Sequence, residues 1–136
     1  MSLNKPSIIQ CIGYRSRPPI RVLISIDDEI MYDETKYTIE LKEIPIKSEM
    51  ENSELTDIKN LQFSDQIKYF YYNTIVNFTI DNINMQLQNK QVECNAFEMP
   101  IAENPIKVKN LKEIAKLKSI MNTRSSIQVD CKFFFL

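Results

Sequence analysis

Three of the four arginines fall within seven residues: Arg15, Arg17 and Arg21, beside Tyr14 and the Pro18–Pro19 pair. A guanidinium is a planar fork of N–H donors, suited to gripping a carboxylate or phosphate through two bonds at once. The prolines restrict the backbone around them, so the segment reads as a compact, partly rigid contact for an anion or nucleic acid. An acidic stretch follows closely, with Asp27, Asp28, Glu29, Asp33 and Glu34. It reads either as the internal partner of these arginines or as a solvated connector. Its spacing is not that of a calcium loop, which also needs a glycine that this stretch lacks.

A second group is aromatic: Lys68 followed by Tyr69, Phe70, Tyr71 and Tyr72. Along a strand, neighbouring side chains point to opposite faces. One pair of these rings is therefore core, and the other is free to meet a protein or stack a base. We expect Tyr69 and Tyr71 to be the outward pair. The C-terminal run Phe133, Phe134, Phe135 and Leu136 is the other candidate contact, because so much apolar surface needs cover from a sheet or a partner.

The remaining chemistry is mostly excluded by composition. Histidine is absent, which removes the commonest general base and zinc ligand. Gly13 is the sole glycine, so neither a phosphate-cradling loop nor a dinucleotide fingerprint can exist, and tight turns must use Asn, Asp and Pro. The three cysteines, Cys11, Cys94 and Cys131, form no CxxC pair and sit in apolar runs. They read as buried free thiols, with no metal site and a reducing compartment. No catalytic residues, cofactor or enzymatic activity are expected.

The elements that must position these residues are mostly strands. Ile20, Val22, Ile24 and Ile26 alternate with Arg21 and Ser25. Tyr37, Ile39 and Leu41 do the same, after which the apolar phase moves to Ile44 and Ile46, implying a bulge at Lys42–Glu43 and an edge strand at Pro45. From Gln66 to Phe97 the pattern reads as a three-strand meander, turning at Asp81–Asn82 and Asn89–Lys90. Residues 48–65 are polar and acidic, and read as a mobile loop or a short helix through Leu55, Ile58 and Leu61. Leu111, Ile114, Leu117 and Met121 lie at helical spacing opposite Lys109, Lys112 and Lys116. Ile127, Val129, Cys131, Phe133 and Phe135 then alternate as a final strand.

The expected fold is mainly β (α+β): an antiparallel β-sandwich or small barrel of about seven strands, with one amphipathic helix, about 108–121, before the last strand. Residues 1–136 read as a single domain. No run approaches the ~18 apolar residues of a membrane helix, so no membrane contact is expected. The polar opening Met1–Pro6 does not read as a secretory signal, and an intracellular location, cytoplasm or nucleus, is expected.

The net charge of -1 argues against general attraction to nucleic acid. The leading functional expectation is a non-catalytic protein–protein interaction module, an accessory subunit or adaptor in a hetero- or homo-oligomer. It would use Tyr69, Tyr71, Phe133, Phe134, Phe135 and Leu136. The alternatives are a single-strand nucleic-acid-binding small barrel using Tyr14, Arg15, Arg17, Arg21 and Lys68, and a viral or pathogen-encoded antagonist of a host protein.

Overall fold

The structure is a computed structural model that describes residues 1–47, 49–97, 111–116 and 119–129. Its strands are β1 (Ser7–Ser16), β2 (Arg21–Ile26), β3 (Glu29–Ile30), β4 (Tyr37–Pro45), β5 (Phe70–Ile80), β6 (Gln91–Phe97) and β7 (Ser119–Ser126). All pairings are antiparallel. One sheet has the order β1-β5-β4 and the other β3-β2-β6-β7, so the chain forms a two-sheet sandwich. The described residues also form three short α-helices: α1 (Asn52–Lys59) and α2 (Phe63–Gln66) between β4 and β5, and α3 (Leu111–Ile114) between β6 and β7. No helix among the described residues is long and apolar enough to cross a membrane.

Alternation builds the core as expected. Ile9, Cys11, Tyr37, Val76 and Phe78 from the three-stranded sheet join Val22, Ile24, Ile26 and Val92 from the four-stranded one in a single buried cluster. Leu23 and Phe97, at the opposite phase of β2 and β6, are buried too, in the same cluster as Leu111 and Ile114 of α3. Both faces of the four-stranded sheet therefore have buried positions. A second cluster of Ile58, Phe70 and Tyr72 is flanked by Leu41, Leu55 and Phe63, seating α1 and α2 on one end of β4 and β5. Residues 52–59 thus take the helical option.

The scarcity of glycine shows in the turns. Among the described residues five non-glycine residues have positive φ, and four of them are Asn4, Asp27, Asp28 and Asn89, residue types that tolerate the left-handed region. Asp27 and Asp28 close the β2–β3 hairpin, and the Asp27 carboxylate accepts from the Gln91 N–H at 2.8 Å. The fifth is Arg15.

Several expectations are corrected. The meander is interrupted, because β5 and β6 belong to different sheets. The segment between them crosses over through a 3-10 turn at Met85–Leu87, with Ile83 buried and its backbone bonded to Asn4 and Lys5. Alternation there reflects one anchored side chain, not a ladder. The bulge expected at Lys42–Glu43 is absent, since β4 keeps an unbroken register with β5 from Tyr37 to Pro45. A register shift lies instead in β1, between Gly13 and Ser16. β4 is an edge strand, as Pro45 implied.

A helix does precede the last strand, but within the described residues it spans Leu111–Ile114. The chain is extended from Ser119, so Met121 lies on β7 at 66% exposure. Pairing with β6 overrides the helical spacing there. The last described strand accordingly ends at Ser126, and Ile127 follows it as a buried anchor. The expectations for Lys109, Leu117, Cys131, Phe133, Phe134, Phe135 and Leu136 lie outside the described residues.

Cys11 and Cys94 are not free thiols. They form a disulfide that joins β1 to β6 across the sandwich, with their Cα atoms 6.1 Å apart. Each reads locally as a buried apolar residue, and only the packing of the two sheets brings them together. The thiol argument for a reducing compartment falls with this bond, since structural disulfides persist mainly in oxidising ones.

Candidate protein-docking surface

The outer face of the three-stranded sheet gathers three of the predicted contact residues, Arg15, Arg17 and Tyr71. On β5 the even positions from Phe70 to Phe78 are buried, and the odd ones from Tyr71 to Thr79 are only partly so. Phe70 and Tyr72 are therefore the core pair, and Tyr71 faces out. Tyr69 precedes the strand and is exposed. Register sets Ile44 beside Tyr71, Lys42 beside Asn73, Glu40 and Ile12 beside Ile75, and Gln10 and Thr38 beside Asn77. The Gln10 amide donates to the Asn77 side chain at 3.1 Å.

The shift in β1 decides where the arginines go. Up to Gly13, odd-numbered residues of β1 pair with inward positions of β5, as Cys11 does with Val76. A regular ladder would carry Arg15 and Arg17 inward as well. One extra residue reverses this phase, so that Ser16 lies opposite inward Tyr72 and donates its hydroxyl to the Tyr72 carbonyl at 3.4 Å. The neighbours Arg15 and Arg17 then emerge on the outer face. Their guanidinium carbons lie 5.1 and 6.0 Å from the centre of the Tyr71 ring, within reach of a cation–π attraction.

The backbone supports this arrangement. Arg15 adopts φ 48, unfavourable for a side chain of its size. Its N–H, taken out of the regular ladder, donates to the Asn73 side chain at 2.9 Å. Gly13 precedes the shift, and a Cβ there would come within 2.5 Å of Ile20 Cδ1. Its small size serves a close approach of β1 to the segment leading into β2.

The other predicted residues divide. Arg21 is 5% exposed on β2, within the four-stranded sheet, and does not join Arg15 and Arg17 over the Tyr71 ring. Tyr14 is exposed but lines a separate cleft of about 380 Å³ between β1 and β7, with Ile12, Ile20, Met121 and the disulfide. Lys68 is exposed and paired with Asp65 at 3.5 Å. The acidic stretch is not the arginines' partner: Asp28 meets Arg124 of β7 at 3.3 Å. Arg124 also binds the buried Glu93 carboxylate at 3.1 Å, a link that the sequence reading missed. Asn73 was missed too, because its role depends on the register of β1. No group of three or more metal-ligating side chains occurs among the described residues.

Fold and site together define a two-sheet antiparallel β-sandwich with one mixed aromatic, aliphatic and cationic sheet face. No family model matches the chain, and no curated protein does. A solved structure described as "Crystal Structure of Rst D1-D2" is similar over 95% of this chain, with a TM-score of 0.50 and 12% identity. This chain spans 43% of that one, and the likeness is one of fold.

Proposed function

We propose that the protein is a non-catalytic interaction module that docks a protein partner on the outer face of the β1-β5-β4 sheet. The observation behind this reading is the gathering of Arg15 and Arg17 over Tyr71, beside Ile44 and Tyr69. Tyrosine and arginine are the residue types that most often dominate binding energy at protein interfaces. The face sits on a central strand paired on both sides, so it offers a pre-organised surface that loses little freedom on binding.

Nucleic acid is the weaker reading. Among the described residues Phe70 and Tyr72 are buried, Arg21 is withdrawn and Lys68 is paired with Asp65, which takes four of the expected contacts away from a base-stacking surface. The test is capture from the native source followed by mass spectrometry, using the wild-type chain and the variants Tyr71→Ser and Ile44→Asp. A partner retained by the wild type and lost by both variants, with their circular dichroism unchanged, supports the proposal. Equal capture by all three removes it. Tight binding of a single-stranded oligonucleotide that weakens steeply with salt would replace it with the nucleic-acid reading.

A further inference from the structure

We infer that Arg15 and Arg17, gathered over the Tyr71 ring, form a receptor for a carboxylate side chain on an acidic protein partner. The inference rests on the docking face proposed above and names what that face recognises.

Charge is the first ground. The described ion pairs bring Asp81 to Lys36, Glu43 to Lys59, Asp65 to Lys68, and Asp28 and Glu93 to Arg124. None of them uses Arg15 or Arg17. Two cations thus converge on one ring, and among the described residues neither forms an ion pair with a carboxylate. Like charges repel at this range, so the arrangement gains most when an anion sits between them.

Geometry is the second. A guanidinium held over an aromatic ring keeps its N–H donors at its own edge, free to grip a carboxylate in two parallel bonds. The ring and Ile44 supply the apolar surroundings in which such bonds strengthen once water is displaced. Backbone construction is the third. The phase change in β1, the left-handed Arg15 and the Asn73 clasp on its N–H all serve to bring these two side chains outward together.

A single carboxylate fits better than a polyanion. Glu40 lies on the same outer face of the adjoining β4, and an extended phosphate backbone would have to pass it.

The test follows the arginine Nε–H resonances by nuclear magnetic resonance. The probe is an acetylated, amidated hexapeptide of alternating glutamate and leucine, with its glutamine counterpart as control. The glutamate peptide is expected to shift the Arg15 and Arg17 signals in a saturable way that salt weakens. The glutamine peptide should leave them in place, and Tyr71→Leu should weaken binding several-fold. Equal shifts with both peptides, or none with either, overturn the inference. So does an oligothymidylate of similar charge that saturates the same signals at lower concentration than the peptide.

Capture from the native source separates this inference from the docking proposal. A partner that survives the double variant Arg15→Gln, Arg17→Gln but not Ile44→Asp ends the carboxylate receptor and leaves the docking face standing. A partner that survives both ends the docking face itself.

Discussion

Tyr37 and Tyr72 are both buried tyrosines, yet their hydroxyls meet different fates. The Tyr37 hydroxyl donates to the Met31 carbonyl at 2.8 Å and accepts from the Ile24 N–H at 3.2 Å. The Tyr72 hydroxyl has no hydrogen-bond partner among the described residues. Tyr37→Phe should therefore cost about 1–2 kcal/mol in a denaturant titration, because it strands a buried donor and acceptor. Tyr72→Phe removes a desolvated group that makes no bond, and should be neutral or slightly stabilising. Burial pushes both phenols up from the usual 10.0 to about 12, with the Glu43 charge adding to the effect at Tyr72. A raised folded-state pKa means that the native chain holds its proton while the unfolded chain releases it. The stabilisation is complete below pH 10 and is lost as pH rises towards 12. Unfolding curves across that window should show the decline, and Tyr72→Phe should make it shallower. A profile flat across the window would contradict the burial of both rings.

At the scale of elements, two side-chain links reinforce the ladder between β7 and β6: the Gln91 amide donates to the Ser126 hydroxyl at 2.7 Å, and Arg124 meets Glu93 at 3.1 Å. All eight of its residues are exposed, including Ile120 and Met121, yet it completes the four-stranded sheet. Arg124 ties it to Glu93 on β6 and to Asp28 in the β2–β3 turn. Arg124→Gln leaves the buried Glu93 carboxylate without its cation and should destabilise by about 1–3 kcal/mol, less than for a fully enclosed pair because Arg124 is itself solvated. Adding Glu93→Gln should recover part of that loss, and a double-mutant cycle measures how much. Faster amide exchange in β7 than in β6 of the single variant would localise the effect. In β1, a single shift of register, supported by Asn73, separates an arginine pair aimed into the core from one aimed at solvent.

For the whole molecule, the Cys11–Cys94 bond is the covalent link between the two sheets. It spans 83 residues of sequence, and closing a loop of that length in the unfolded chain is worth about 4 kcal/mol in the chain-entropy model. Reduction, or the double variant Cys11→Ala, Cys94→Ala, should lower the denaturation midpoint accordingly. Identical midpoints with and without reductant would refute the staple. The two sheets also differ in what they leave outside. The four-stranded sheet buries Leu23 and Phe97 at the phase opposite its core residues, whereas β5 leaves Tyr71 and Ile75 half exposed.

Much of this was legible in residue order. Period-two patterning of β2, β4 and β5 announced an antiparallel sandwich or small barrel, and within Tyr69–Tyr72 it required one ring pair to be core. The near absence of glycine directed positive φ to Asn and Asp. These are local properties, set by how side chains alternate along a strand and by which residues tolerate a left-handed backbone. Tertiary structure decided the rest. Alternation cannot say which strands share a sheet, so the apparent meander divided between two. It cannot see a thiol 83 residues away, so two apolar cysteines became a disulfide. Nor can it locate a one-residue slip, which here turns Arg15 and Arg17 outward onto Tyr71 while Arg21 stays inside. Register is a property of paired strands, and a pair exists only once the chain has folded.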